Sequence, residues 1–174
     1  GCIWCVWTIE AGMTLTFRKA APADLPRLHE IRIAAFTPIH EGFREQIGEE
    51  MFQLQYHDWN QKQGAHLDEI CADSSHQTYV ALQGDAIVGF VDFSIDQTRK
   101  CGELGLNAVD PRCQGRGIGT AMYEFALEKL KQAGAEMATV GTGGDAAHLP
   151  ARHAYGKVGF SQTIPVVYYF KRLI

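Results

Sequence analysis

The stretch Val109-Asp110-Pro111-Arg112-Cys113-Gln114-Gly115-Arg116-Gly117-Ile118-Gly119-Thr120 decides how this chain is read. A strand-like run, Cys101–Val109, stops at Asp110-Pro111, because proline has no N–H for a sheet ladder. Gly115, Gly117 and Gly119 alternate through the turn. A helix-periodic run then extends from about Gly117 to Ala133, with Ala121, Met122, Phe125, Ala126 and Leu130 on one face. Glycines let the backbone turn where a Cβ would clash and approach a ligand closely. At a helix start the first N–H groups lack intrahelical acceptors and lie at the positive end of the helix dipole. The stretch therefore predicts a diphosphate cradle, with Arg112 and Arg116 as added positive charge. A Walker loop would end in Gly-Lys-Ser/Thr, and that lysine is missing. A dinucleotide fingerprint would follow the first strand of a βαβ unit, whereas this loop follows a hairpin and a third strand late in the chain.

Working outward, Thr78–Gln83 and Ala86–Ile95 flank the turn Gly84-Asp85 and predict a hairpin. Downstream, Gly134 suits a helix C-cap. Met137–Thr142 reads as a strand, Pro150–Val158 as a short helix and Val166–Arg172 as a final strand. Upstream, Thr14–Arg18 reads as a strand, and Asp24 caps a helix that Pro38 should end near Phe36. Further helices are expected over Glu41–Asn60 and Ala65–Ala72. The order predicts a single α/β domain over residues 13–174, with a central mixed, twisted β-sheet flanked by helices. Residues 1–12, rich in Cys2, Trp4, Cys5 and Trp7, read as an added extension ahead of a natural start at Met13, and are set apart from the fold.

The chain has 174 residues, is 46% hydrophobic and 21% charged, and carries a net charge of −4. No basic run argues for nucleic acid, and no apolar stretch reaches the roughly 20 residues that span a bilayer. Five cysteines at irregular spacing predict reduced thiols and a cytoplasmic setting rather than a disulfide framework. A lone Cys2-x-x-Cys5 is weak ground for zinc, so no metal is expected.

Val109-Asp110-Pro111 with Gln114–Gly119 resembles the acetyl-CoA pyrophosphate loop of the GNAT N-acetyltransferases. Ala151-Arg152-His153-Ala154-Tyr155-Gly156-Lys157-Val158-Gly159-Phe160 resembles the second, helix-to-strand motif of the same superfamily. The resemblance is specific over residues 103–160 and vague before Thr78. It implies a GNAT-type fold and an acetyl-CoA co-substrate. The diphosphate would rest on Gln114, Gly115, Arg116, Gly117, Ile118, Gly119 and Thr120. Backbone groups of Asn107, Ala108 and Val109 would meet the pantetheine arm, and His148 would add a cofactor contact. Tyr155 matches the tyrosine that protonates the departing thiolate; its alternative is a half-buried packing residue. Glu103, in a Glu-x-x-x-x-Ala-Val pattern, matches the general base of histone-type members, on a strand face expected to include residues 105 and 107; its alternative is a solvated strand carboxylate. Asp145 and His148 are rivals for the base, because Gly141 and the Gly143–His148 loop replace the glutamate and asparagine of many members.

The segment 41–73 holds eight carboxylates against Arg44 and Lys62, interleaved with Phe43, Phe52, Tyr56 and Trp59. Acidic groups with aromatic walls suit a cationic, multi-amine acceptor, so Glu45, Glu49 and Asp58 are candidate substrate contacts and aminoglycosides the lead substrate, as in drug-resistance acetylation; an ordinary solvated helix face is the alternative. Protein or peptide acetylation, or an acyl-CoA sensor without chemistry, remain open, as does a homodimer.

Overall fold

Strand-forming runs follow one another closely, and each pairs with the next. In the computed structural model, which describes residues 5–9 and 12–174, six strands form one mixed sheet in sequence order. They are β1 (Cys5–Thr8), β2 (Thr14–Lys19), β3 (His76–Gln83), β4 (Ala86–Asp96), β5 (Cys101–Val109) and β6 (Met137–Val140). The first four pairings are antiparallel. β5 and β6 are parallel, as a helical crossover requires. The helices are α1 (Leu25–Ile47), α2 (Glu49–Tyr56), α3 (Trp59–Ala72), α4 (Ile118–Gln132) and α5 (Leu149–Lys157).

Side chains alternate across the sheet and feed two cores. On one face Leu15, Phe17, Val91, Phe93 and Leu104 pack against Met122, Phe125, Ala126 and Leu130 of α4 and Tyr155 of α5. Phe17 and Phe125 stack with centroids 4.3 Å apart. On the other face Val80, Leu82, Phe90 and Ala108 pack against Leu28 and Ile31 of α1 and Leu67 and Ile70 of α3. Each such large side chain stabilises the fold by ~1.5–3 kcal/mol. Among the described residues, no helix is long and apolar enough to cross a membrane.

The helices expected over Glu41–Asn60 and Ala65–Ala72 are the end of α1, then α2, then an α3 that starts at Trp59, and the Asp24 side chain makes no cap bond; four further departures from the sequence reading bear on the site. Residues Cys5–Thr8, set apart there, form the edge strand β1 against β2; Cys2 of the Cys-x-x-Cys lies outside the described residues. Pro38 does not end α1, which runs on to Ile47. An interior proline costs about 3 kcal/mol, but the helix beyond it is held by packing: His40 stacks on Trp59 at 4.0 Å and Phe43 lies 5.4 Å from Tyr56. The expected final strand, Val166–Arg172, pairs with nothing in the sheet, and residues 160–174 have no regular secondary structure. Tyr169 is 93% exposed. The segment is tethered to α2 instead, by Arg172 to Glu50 at 2.6 Å and Phe170 near Tyr56. Aromatic and β-branched composition favours a strand only where a pleated neighbour receives it.

The fourth departure shapes the molecule most. Phe93 pairs with Leu104 and Val91 with Asn107, so Gly105 and Leu106 of β5 both stand opposite Asp92. This is a β-bulge, and it reverses which residues face which side. Leu104 and Asn107 now share the α4 face. Glu103 points the other way, against the expectation that residues 103, 105 and 107 share a face. A Cβ at residue 105 would stand 2.5 Å from Asp92 Oδ2, so the bulge requires glycine. Asp92 is 1% exposed and accepts hydrogen bonds from Thr78 Oγ1 at 3.0 Å and His76 Nδ1 at 2.7 Å. β6 follows β5 only from Cys101 to Leu104. Beyond the bulge the two strands separate.

Candidate active site

The gap between the parted strands opens into a cleft of about 740 Å³. Its walls are Gly105–Val109 of β5, Gly141 and Thr142 beyond β6, the middle of α1 around Pro38, Gln63 and His66 of α3, and the face of α5 that carries Tyr155. Gln114, Gly115 and Gly117–Thr120 close one end.

That end is built by the α4 N-terminus. Gly117 caps the helix with φ 80° and ψ 5°, a left-handed conformation that a Cβ opposes. The first helical bond runs from Ala121 N to Gly117 O at 3.0 Å, so the N–H groups of Ile118, Gly119 and Thr120 have no intrahelical acceptor. The loop is anchored by Asp110, which is 3% exposed. Its carboxylate accepts from Arg112 N at 3.0 Å, Arg112 Nη2 at 2.7 Å and Arg27 Nη2 of α1. The Arg112 guanidinium above all, and Arg27 after it, outweigh burial and hold the Asp110 carboxyl well below the usual carboxylate range. Arg112 is therefore committed to the loop's own carboxylate. Arg116 is exposed and is not among the cleft residues. Positive potential at this helix start comes from its backbone N–H groups rather than from these arginines.

Asn107, Ala108 and Val109 line the middle of the cleft. The side chain of Asn107 does more than was read from it. Its Nδ2 donates to Gly105 O at 2.9 Å and reaches Tyr155 Oη at 3.5 Å. Its Oδ1 accepts from Tyr123 Oη at 2.8 Å. The two tyrosine rings lie 4.6 Å apart, and Tyr155 is 6% exposed. Burial first, and then the neighbouring Tyr155, push the Tyr123 phenol up, so it stays a protonated donor. Tyr123 was missed in the sequence. Its signal is the Gly119-x-x-x-Tyr123 spacing, which puts it one turn beyond the cradle on the same helix face.

His148 also lines the cleft, on a turn before α5. Its Nδ1 bonds Asp145 Oδ2 at 2.6 Å. Asp145 Oδ1 accepts from Ala147 N at 3.0 Å and His148 N at 3.3 Å. Burial opposes the Asp145 charge, but the His148 ring and these backbone donors leave its carboxyl below the ordinary range. Arg152 Nη1 pins the loop through Gly143 O at 2.6 Å and Asp145 O at 2.7 Å. The His148 ring lies 6.3 Å from Phe43 of α1, beside His40, whose pKa burial lowers, with His148 adding to the shift.

The remaining expected residues lie elsewhere. Glu103 is exposed, faces away from Asn107 and does not line the cleft. Glu45 is exposed. Glu49 is paired with Arg44 at 3.2 Å and Gln53 at 2.7 Å, and Asp58 with Lys62 at 3.0 Å. None of the three reaches the cleft wall, to which segment 41–73 contributes Gln63 and His66. Helical spacing explains this, since carboxylates three or four residues from a cation or an amide are answered on their own helix.

A family model for the acetyltransferase (GNAT) family matches residues 31–160. Solved structures share the architecture. An N-acetyltransferase from Thermoplasma acidophilum in complex with coenzyme A is 19% identical, with a TM-score of 0.70, over 86% of this chain and 91% of that one. An aminoglycoside acetyltransferase from an uncultured soil metagenomic sample, in complex with sisomicin, is 20% identical, with a TM-score of 0.59, over 92% and 97%. A GNAT family acetyltransferase from Brucella melitensis, in complex with acetyl-CoA, is 24% identical, with a TM-score of 0.57, over 87% and 91%. At these identities the likeness is one of fold. No curated protein matches the sequence at a significant level.

Proposed function

Because this chain belongs to the acetyltransferase (GNAT) family and is an N-acetyltransferase, we propose that it moves the acetyl group of acetyl-CoA to a primary amine of a small cationic molecule. The observation that carries the reading is one continuous cleft with a helix N-terminus at one end, parted strands in the middle and a buried tyrosine hydroxyl on its wall. Acetyl-CoA supplies an acetyl group already activated as a thioester. The N–H groups at Gln114–Thr120 receive the diphosphate. Backbone of β5 freed from β6, at Asn107, Ala108 and Val109, lies along the pantetheine arm, and one of its N–H groups faces the thioester oxygen, where negative charge develops.

Tyr155 gives its proton to the departing sulfur. A phenol near pKa ~10 donates to a thiolate of pKa about 8.5 only when the two are held together. Asn107, itself gripped by Tyr123, supplies that hold. Glu103 has no such access and is not given a role.

For the acceptor, aminoglycosides come first in the test, supported by the carboxylate-rich composition of segment 41–73 and by neighbours that act on these drugs. A specific observation favours a second reading. Among the described residues, the cleft wall carries no carboxylate, and its α1 side is Ala34, Ala35, Phe36, Pro38 and Ile39, so an amine with an apolar body fits the interior better than a polycation. The experiment is CoA release from acetyl-CoA with a panel of aminoglycosides, polyamines, arylalkylamines and basic peptides. Turnover of aminoglycosides that salt suppresses supports the first reading. Turnover confined to apolar monoamines selects the second, and no turnover with any amine refutes acetyl transfer.

A further inference from the structure

Acetyl transfer needs a free lone pair on nitrogen, while a primary amine arrives mostly as ammonium. A base must therefore reach the acceptor. Among the described residues, no Asp or Glu lines the cleft. Its titratable side chains are His66 from α3, Tyr123 from α4, His148 from the turn after β6, and His153, Tyr155 and Lys157 from α5. Among the described residues of the cleft, His148 alone has a carboxylate bonded to its ring.

We propose that His148, oriented by Asp145, is the general base that deprotonates the acceptor; the proposal rests on the acetyl-transfer reading above. The loop is built around this pair. Arg152 clamps the carbonyls of Gly143 and Asp145. A Cβ at residue 143 would collide with both His148 Nδ1 and Asp145 Oδ2, so the pair fills the space a side chain would take. Asp145 holds the proton on Nδ1 and leaves the Nε2 lone pair as the basic site, the division of labour that a buried carboxylate imposes on an imidazole.

Position agrees with role. α1 spans the cleft, with Arg27 bound to Asp110 of the cradle and Phe43 against His148. At roughly 1.5 Å per residue those contacts stand about 24 Å apart along the helix. His148 therefore lies at the end remote from the diphosphate, where an acceptor enters. The nitrogen loses two protons in the reaction. One passes to His148 Nε2 and on to solvent, which frees the pair that forms the C–N bond. The C–S bond breaks with its electrons on sulfur, and sulfur takes a proton from Tyr155, which is repaid by the second proton from nitrogen. The products are amide, thiol and one proton.

The test has two arms. Nitrogen-15 NMR of the ring needs no turnover: wild type should show the Nδ1-protonated tautomer, and Asp145→Asn, which keeps the turn's cap acceptor, should lose that preference. An Nε2-protonated wild-type ring overturns the proposal. In the kinetic arm, with an amine the panel shows to be acetylated, His148→Gln should lower kcat by about 10²-fold near neutral pH. It should also replace the acid limb of the pH profile by a continuous rise with the free-amine fraction, while calorimetry shows unchanged CoA affinity. His40 of α1, Arg152 of α5 and Asp145 stand around the ring and, like the other cleft groups, are present in both proteins, so the difference between the two profiles is what counts. Asp145→Asn should lower kcat less and leave the KM for acetyl-CoA alone. If His148→Gln does not fold, judged by circular dichroism, His148→Asn takes its place. Unchanged kcat and acid limb, or a loss of CoA affinity without a change in pH profile, overturns the base assignment while leaving acetyl transfer standing. No wild-type turnover overturns both.

Discussion

Gly117→Ala and Gly117→Val measure how much of cofactor binding comes from backbone geometry alone. Gly117 holds φ at 80°, and an added Cβ would meet nothing closer than Ile9 Cβ at 3.9 Å. Crowding is therefore excluded as a cause for the alanine variant. What remains is the left-handed conformation, which costs an L-residue about 1–2 kcal/mol, with a β-branched side chain at or beyond the top of that range. If the chain keeps its φ, folding stability falls by that amount, ~5- to 30-fold in the folded-to-unfolded ratio. If it relaxes to negative φ, the N–H groups at the helix start turn away from the diphosphate. Each hydrogen bond to a charged group is worth roughly 1.5–3 kcal/mol, so losing one weakens CoA about 10- to 150-fold. The assay is calorimetry with CoA and with pantetheine, which lacks the diphosphate. CoA should weaken from glycine through alanine to valine while pantetheine holds constant. Equal weakening of both, or unchanged CoA affinity in a valine variant of lowered melting temperature, refutes the cradle.

Tyr155→Phe should lower kcat by about 10²-fold or more at saturating substrates with CoA affinity unchanged; wild-type turnover would make Tyr155 a packing residue. Gly105→Ala places a Cβ against the Asp92 carboxylate and should cost about 1–3 kcal/mol of stability by denaturant unfolding; no loss would mean the bulge tolerates a side chain. Asp110 has its pKa depressed in the fold, so its contribution is complete above the ordinary carboxylate value of ~3.9 and is lost as pH falls through the folded value. Asp110→Asn should thus melt lower than wild type at neutral pH, with the gap narrowing in acid; a gap that does not depend on pH would show that packing, not charge, anchors the loop.

The cradle, the hairpin and α4 were legible because each is a local pattern: glycine spacing, a Gly84-Asp85 turn, an apolar stripe. The errors came from what no local pattern encodes. Pro38 is a stop signal on its own helix, and only the stacking of His40 on Trp59, from another helix, overrides it. Val166–Arg172 has strand composition but no neighbour to complete it. Glu45, Glu49 and Asp58 looked like a site because charge was counted along the chain, whereas Arg44 and Lys62 neutralise two of them across a single helical turn or a helix junction. Glu103 was misplaced by strict alternation, since one extra residue in β5 is invisible until the register with β4 is known. Tyr155 and His148 were legible as candidates, but the bonds of the Asn107 side chain to both tyrosines arise only in the tertiary structure, and the local Asp145–His148 bond appears only with the geometry of its turn.

That extra residue gives β5 two phases, as if a sentence changed its reading frame midway. Up to Leu104 one parity of side chain serves the α4 core; from Asn107 on, the other parity does. Deleting either Gly105 or Leu106 would put the strand back in a single frame. One residue opposite Asp92 restores plain alternation, so Asn107 would still face the tyrosines and Ala108 would still meet Leu28 and Ile31, but the reason for β5 to part from β6 would go. Mutational tolerance should follow the same frame: polar substitutions damaging at even positions up to Leu104 should become damaging at odd positions on the α4 side from Asn107. A one-residue insertion is thus the difference between a closed sheet and one with room for a cofactor.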